Sequence, residues 1–193
     1  MRPQFTFRQY RATDLALLTL ILCVCEGVIV RASTGWFADQ PYTLSVTPAV
    51  TAIIMIRWGV FGLVPALAGG AVYCLVSGAA PVQYLIYMGG NLAALALVPV
   101  IRRLGWQTIR DRTMYTMLYG LCCTVLMQLG RALIALCVGH GGAFFLFFTT
   151  DVMSCVFCVV TMWIVRRLDG VLEDQAHYLN RVSRGTEDGG TDL

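Results

Sequence analysis

Glu26, Arg131 and Asp151 each interrupt a long apolar stretch of this sequence. A charged side chain in such a place is costly in lipid and calls for a partner: another side chain, a proton, water or a solute. With about 1.5 Å of rise per helical residue, Glu26 sits about 10 Å from the end of its stretch, and Arg131 and Asp151 each about 12 Å from the ends of theirs on the same side. Asn91 falls at a similar depth, about 13 Å. Gln83, Tyr87 and Asn91 recur every four residues, so they share one helix face. Thr124 and Gln128 share a face with Arg131, and Ser154 and Cys158 share one with Asp151. Four helices thus each offer a polar face in one layer. Converging, with Trp36 and Phe37 of the first loop above them, they would line a pocket of apolar and aromatic walls with a few placed polar groups, the usual composition of a small-molecule site. Two acids and one base leave a surplus acid to be matched by a ligand amine, a proton or water. The structural alternative is an Arg131–Asp151 ion pair that only ties two helices together, with Glu26 protonated or paired to Arg31.

The cysteines suggest a different chemistry that their setting does not support. Cys23 and Cys25 form "CVC", and Cys155 and Cys158 form "CVFC", spacings compatible with metal binding or membrane redox catalysis. All eight cysteines lie in apolar segments without a companion pair in an accessible loop, which reads as packing. His140 and His177 are isolated. No metal and no cofactor are expected, and no phosphate-binding glycine loop or nucleic-acid module is present.

The elements that must position these residues follow from composition. The chain of 193 residues is 58% hydrophobic and 13% charged, too apolar for a soluble domain of this length. Apolar stretches at 15–30, 44–56, 59–77, 82–101, 114–138 and 143–165 predict an all-α integral membrane bundle of six transmembrane helices. The second is short and contains Pro48, and the third contains Pro65. Neighbouring helices or polar side chains must satisfy the backbone groups these prolines free.

Orientation follows from arginine, because the sequence has no lysine. Twelve of the 14 arginines lie before the first stretch, at the second-to-third turn, between the fourth and fifth, or after the sixth. Those segments share one side if six spans alternate, and the positive-inside rule makes that side, with both termini, cytoplasmic. A cleaved signal peptide ending near "VRAST" would break this parity. Residues 1–13 read as a cytoplasmic basic arm, 14–168 as the six-helix transmembrane substrate-binding domain, and 169–193 as a cytoplasmic tail, solvated and partly disordered. The expected location is the plasma membrane, with multiple passes.

Small residues at four-residue spacing mark helix contacts: Gly62, Ala66 and Gly70, then Gly90 and Ala94, then Ala12 and Ala16. Most serve internal packing. Ala12 and Ala16 lie near the cytoplasmic side, where a partner subunit could meet the helix.

The stretch "YTLSVTPAVTAIIMIRWGVFGLVPALAGGAVYCLVSG" (42–78) resembles the second and third helices of the substrate-binding S component of energy-coupling factor (ECF) transporters. The resemblance rests on a short apolar helix with Ser and Pro, an Arg57-Trp58-Gly59 turn and a Gly/Ala-rich helix. It implies capture of a vitamin or similar small-molecule micronutrient from outside, and association with a transmembrane coupling subunit and two cytoplasmic ATPase subunits. It also implies toppling in the bilayer to release cargo, and contact between the coupling subunit and an Ala-x-x-x-Ala motif matched by Ala12 and Ala16. The chain itself would be no enzyme. Glu26, Asn91, Arg131 and Asp151 would form the primary site, lined by Trp36, Gln83, Tyr87 and Gln128, for a nitrogen-rich heterocycle or a zwitterion. The other readings are a membrane scaffold or sensor whose ion pairs are structural, and a redox enzyme using the cysteines.

Overall fold

A computed structural model describes residues 7–36, 44–139, 150–168, 171–173 and 175. Among them the chain forms helices and turns and no strand. Helix α1 (Phe7–Trp36) runs unbroken for 30 residues, so residues 7–13 of the basic arm belong to it. Helix α2 (Thr47–Trp58) and α3 (Leu63–Ser77) are joined by a 3₁₀ turn at Gly59–Gly62. Helix α4 (Pro81–Leu104) is a single irregular rod, with a π-helical turn at Leu85–Gly89 and a 3₁₀ stretch at Leu92–Leu97. A short α5 (Trp106–Asp111) leads into the long α6 (Thr113–Cys137), and α7 spans Val152–Val165.

Polarity is inverted relative to a soluble protein. On α1, Leu20 is 64% exposed while Glu26 is 1% exposed; on α6, Leu133 is 50% exposed while Arg131 is 5% exposed. Exposed apolar side chains recur at Leu17, Leu20, Val24 and Val28 of α1 and at Leu121, Val125, Leu129 and Leu133 of α6, one stripe per helix. Such continuous apolar exterior over a polar interior suits hydrocarbon as solvent. Phe7–Gly35, Thr47–Ser77, Pro81–Leu104 and Thr113–Cys137 are long and apolar enough to cross a membrane, and Val152–Val165 is a shorter apolar helix.

The second of these stretches folds back on itself. Gly59 has φ of +61°, a conformation glycine adopts without a Cβ penalty, and it directs the chain into the turn. Beyond it Gly62 lies against Met55 and Gly69 against Thr47, so partner numbers fall as the chain advances and α2 and α3 run antiparallel. A Cβ on Gly69 would overlap the Thr47 side chain. The Gly/Ala spacing on α3 therefore serves this hairpin and, through Gly70 and the Tyr87–Met88 backbone, the contact with α4.

The core holds small and flexible side chains, among them Ala49, Ala52, Met55, Ala94, Met127 and Met162. Cys123 and Cys158 belong to the same cluster, which is the packing role expected of them. The tail differs from the expected solvated segment where it is described: Leu172 is fully buried in this core, and Val171 O accepts a hydrogen bond from Arg57 Nη1 at 3.2 Å.

Candidate functional site

Helices α4 and α6 cross at two glycines. A Cβ on Gly90 would collide with the Arg131 backbone, and one on Gly130 with Gly90 O. This close approach sets Asn91 and Arg131, the next residue on each helix, side by side. Arg131 Nε donates to Asn91 Oδ1 at 2.9 Å, and Asn91 Nδ2 donates to Ala66 O on α3 at 2.9 Å. Arg131 Nη1 donates to Asp151 Oδ2 at 2.8 Å. The guanidinium lies 5.0 Å from the centre of the Tyr87 ring, which stacks against Tyr73 at 4.4 Å between centroids. The π-helical turn just before Asn91 is an irregularity that helices adopt most often at functional positions.

Glu26 reaches the same layer by another route. Its Oε1 accepts the Ser45 hydroxyl at 2.7 Å and its Oε2 accepts the Val46 N–H at 2.8 Å. Helix α2 begins here without a side-chain cap of its own. The carboxylate of α1 thus supplies the missing acceptor and places negative charge at the positive end of the helix dipole. Its partners are Ser45 and Val46 rather than Arg31. Ser45 N donates to Ser154 Oγ at 2.9 Å, and Ser154 Oγ donates to Asp151 Oδ1 at 3.4 Å. One hydrogen-bonded chain therefore runs from Glu26 through Ser45, Ser154, Asp151, Arg131 and Asn91 to the backbone of α3.

Inside this network is a cavity of about 40 Å³, lined by Glu26, Tyr73, Tyr87, Asn91, Arg131 and Asp151, with Ser45, Thr47, Gly69 and Gly70. At roughly 10–15 Å³ per water, it has room for about three. Two polar groups on it lack an acceptor among the described residues: Arg131 Nη2, and the buried hydroxyl of Thr47. Half-buried Leu44 and Thr150 complete the lining; the segments they adjoin, 37–43 and 140–149, lie outside the described residues.

Of the residues singled out in the sequence, Glu26, Tyr87, Asn91, Arg131 and Asp151 come together on this cavity. Gln128 is buried behind it, with Nε2 3.5 Å from Asp151 O and 3.8 Å from Cys155 Sγ. Gln83 is not brought in: its side chain is exposed and accepts the Ala80 N–H at 3.1 Å, closing the first turn of α4. Four-residue periodicity placed it on the Asn91 face, but the rod is irregular between them. Trp36 ends α1 and its side chain lies outside the described set, as do Phe37, His140 and His177. Ala12 and Ala16 are exposed on α1.

Sequence reasoning missed Ser45, Thr47 and Tyr73. Ser45 had a signal, since Ser followed shortly by Pro48 marks a helix start whose free N–H groups need acceptors. Tyr73 had none, because a tyrosine in an apolar run is indistinguishable from a wall residue. It missed Asp14 too. At the far end of α2, Asp14 of α1 accepts Arg57 Nε at 3.0 Å, Arg57 Nη2 at 2.9 Å and Trp58 Nε1 at 2.6 Å. Comparison with protein-family models, curated proteins and solved structures returns no match for this chain.

Proposed function

We propose that this chain is a membrane-embedded binding subunit that captures a small polar solute from outside, in the manner of the S component of an ECF importer. In this reading six helical segments cross the plasma membrane and both termini face the cytoplasm. A transmembrane coupling subunit and two ATPase subunits supply the energy, and the exposed Ala12 and Ala16 offer a helix face for the coupling subunit.

The observation that carries the reading is that, among the described residues, the buried Thr47 Oγ1 and the Arg131 Nη2 both lack an acceptor and line one cavity. Buried polar groups are satisfied as a rule, so the unmatched Thr47 hydroxyl beside a fixed guanidinium calls for an occupant. Arg131 is held by Asn91 and Asp151, and its Nη2 has no acceptor among the described residues, the arrangement needed to receive a carboxylate or carbonyl oxygen. Tyr73 and Tyr87 add a flat apolar wall. A zwitterion or nitrogen-rich heterocycle suits that set.

The test is ligand-induced thermal stabilisation of the purified protein across a panel of vitamins and amino acids, paired with native mass spectrometry for co-purified solute. A saturable shift that is lost in the charge-free pair Arg131→Met with Asp151→Leu, while folding persists, supports the reading. No shift from any member, and no retained solute, sinks it.

The size of the cavity favours a second reading. A site for a drug-sized ligand has about 300 Å³ or more, and this one has about 40 Å³. Filled by water alone, the network would be a structural joint, and the protein a membrane scaffold or sensor.

A further inference from the structure

A second cavity, of about 530 Å³, opens at the other end of α2, between the start of α1, the α2–α3 turn and the end of α4. Its lining includes Arg11, Arg57 and Arg102, the indoles of Trp58 and Trp106, and no acidic residue. Arg57 is matched by Asp14. Arg11 and Arg102 form no ion pair with any described carboxylate, and the Arg11 guanidinium instead lies 4.1 Å from the centre of the Phe61 ring. Val98 and Ile101 give the cavity an apolar wall.

Two guanidiniums with no carboxylate partner among the described residues, two indoles and an apolar wall in one recess select for an amphiphile with an anionic head. The volume is that of a headgroup rather than of a bare ion. Tryptophan belongs to the membrane–water boundary, and the arginine bias of the sequence makes this the cytoplasmic end. Basic recesses between helices on that side are suited to phospholipid phosphates. We infer that this cavity binds the headgroup of an anionic phospholipid of the inner leaflet, with Arg11 and Arg102 on its phosphate and Val98 along its first acyl carbons. The inference requires a membrane-embedded chain and is independent of any transported solute.

The test is native mass spectrometry of the full chain in nonionic detergent, titrated with dioleoylphosphatidylglycerol and, separately, dioleoylphosphatidylcholine. The unmodified chain retains phosphatidylglycerol saturably and prefers it to phosphatidylcholine. The double variant R11Q/R102Q weakens that retention about 30-fold, from roughly 1 kcal/mol per arginine, whereas R103Q/R112Q, which removes two arginines outside the cavity, changes it less than threefold. R11K/R102K keeps most of the preference, since charge without the fork geometry is retained. Equal retention of both lipids by the unmodified chain overturns the inference without recourse to any variant. So does an equal loss in R103Q/R112Q, which would mean diffuse surface attraction. Displacement of the lipid by millimolar inorganic phosphate would identify a soluble anion as the ligand and also overturn it.

Discussion

Helix α1 grips α2 at both ends with acids twelve residues apart, and the two grips differ in what they leave unfilled. At the C-terminal end of α2 Asp14 takes three short hydrogen bonds from Arg57 and Trp58, and Arg57 also reaches Val171 O. At its N-terminal end Glu26 caps α2, and the network continues to an arginine whose Nη2 has no acceptor among the described residues, beside a cavity. The separation along α2 is about 18 Å. The C-terminal cluster is a clasp whose groups are matched to one another. The N-terminal one is built around a gap, and a gap lined by fixed donors is where binding can occur.

The largest expected effect tests whether the Glu26–Arg131 cluster is more than a joint. Arg131→Ala strands Asp151 in a buried site and is expected to cost about 3–5 kcal/mol, read as a large fall in melting temperature in mild detergent. Replacing both partners, Arg131→Met with Asp151→Leu, is expected to restore most of that stability and to abolish solute binding. Recovery of stability with unchanged binding would remove the cluster from the site.

Gly90→Val comes next, since the added side chain meets the Arg131 backbone. Overpacking of this kind costs about 3 kcal/mol and displaces Asn91 from Arg131, so stability and binding fall together in the same titration. Retention of binding at wild-type affinity would show that the helix crossing does not set the site.

At the Asp14–Arg57 clasp Asp14→Asn keeps the shape and removes the charge. The expected loss is about 2 kcal/mol from charge-assisted hydrogen bonds, with solute affinity unchanged by isothermal titration. A fall in affinity would couple the two ends of α2 and break the distinction between them. Smallest is Glu26→Gln, whose one amide oxygen still accepts the Val46 N–H while its amide nitrogen donates to Ser45 Oγ, so the main loss is charge against the helix dipole, under about 1 kcal/mol. A binding loss much greater than the stability loss would move Glu26 from cap to ligand contact.

How much of this was legible in the sequence depends on the kind of signal. Arg131, Asp151 and Asn91 could be placed in one layer because depth needs only helical rise and span ends. Their bonding could not be read, because rotation of each helix about its axis depends on where its neighbours press. Gln83 shows the limit: an ideal period put it on the Asn91 face, and a π-helical turn at Leu85–Gly89 removed it. Asp14 went unnoticed because a carboxylate at the edge of a span looks solvated until Arg57 and Trp58 arrive from a segment more than forty residues away.

By itself the sequence determined solvent and element type: apolar runs of membrane length, arginines gathered almost wholly outside those runs, and a few polar residues too costly to leave facing lipid. These are local or compositional properties, summed residue by residue. Only the tertiary structure decided that Glu26 caps a neighbouring helix, that Gly90 and Gly130 bring two backbones into contact, and that Thr47 and Arg131 share a cavity. Each of those depends on side chains from different helices meeting within hydrogen-bonding distance, and spacing along one helix carries no information about which residues the others bring to it.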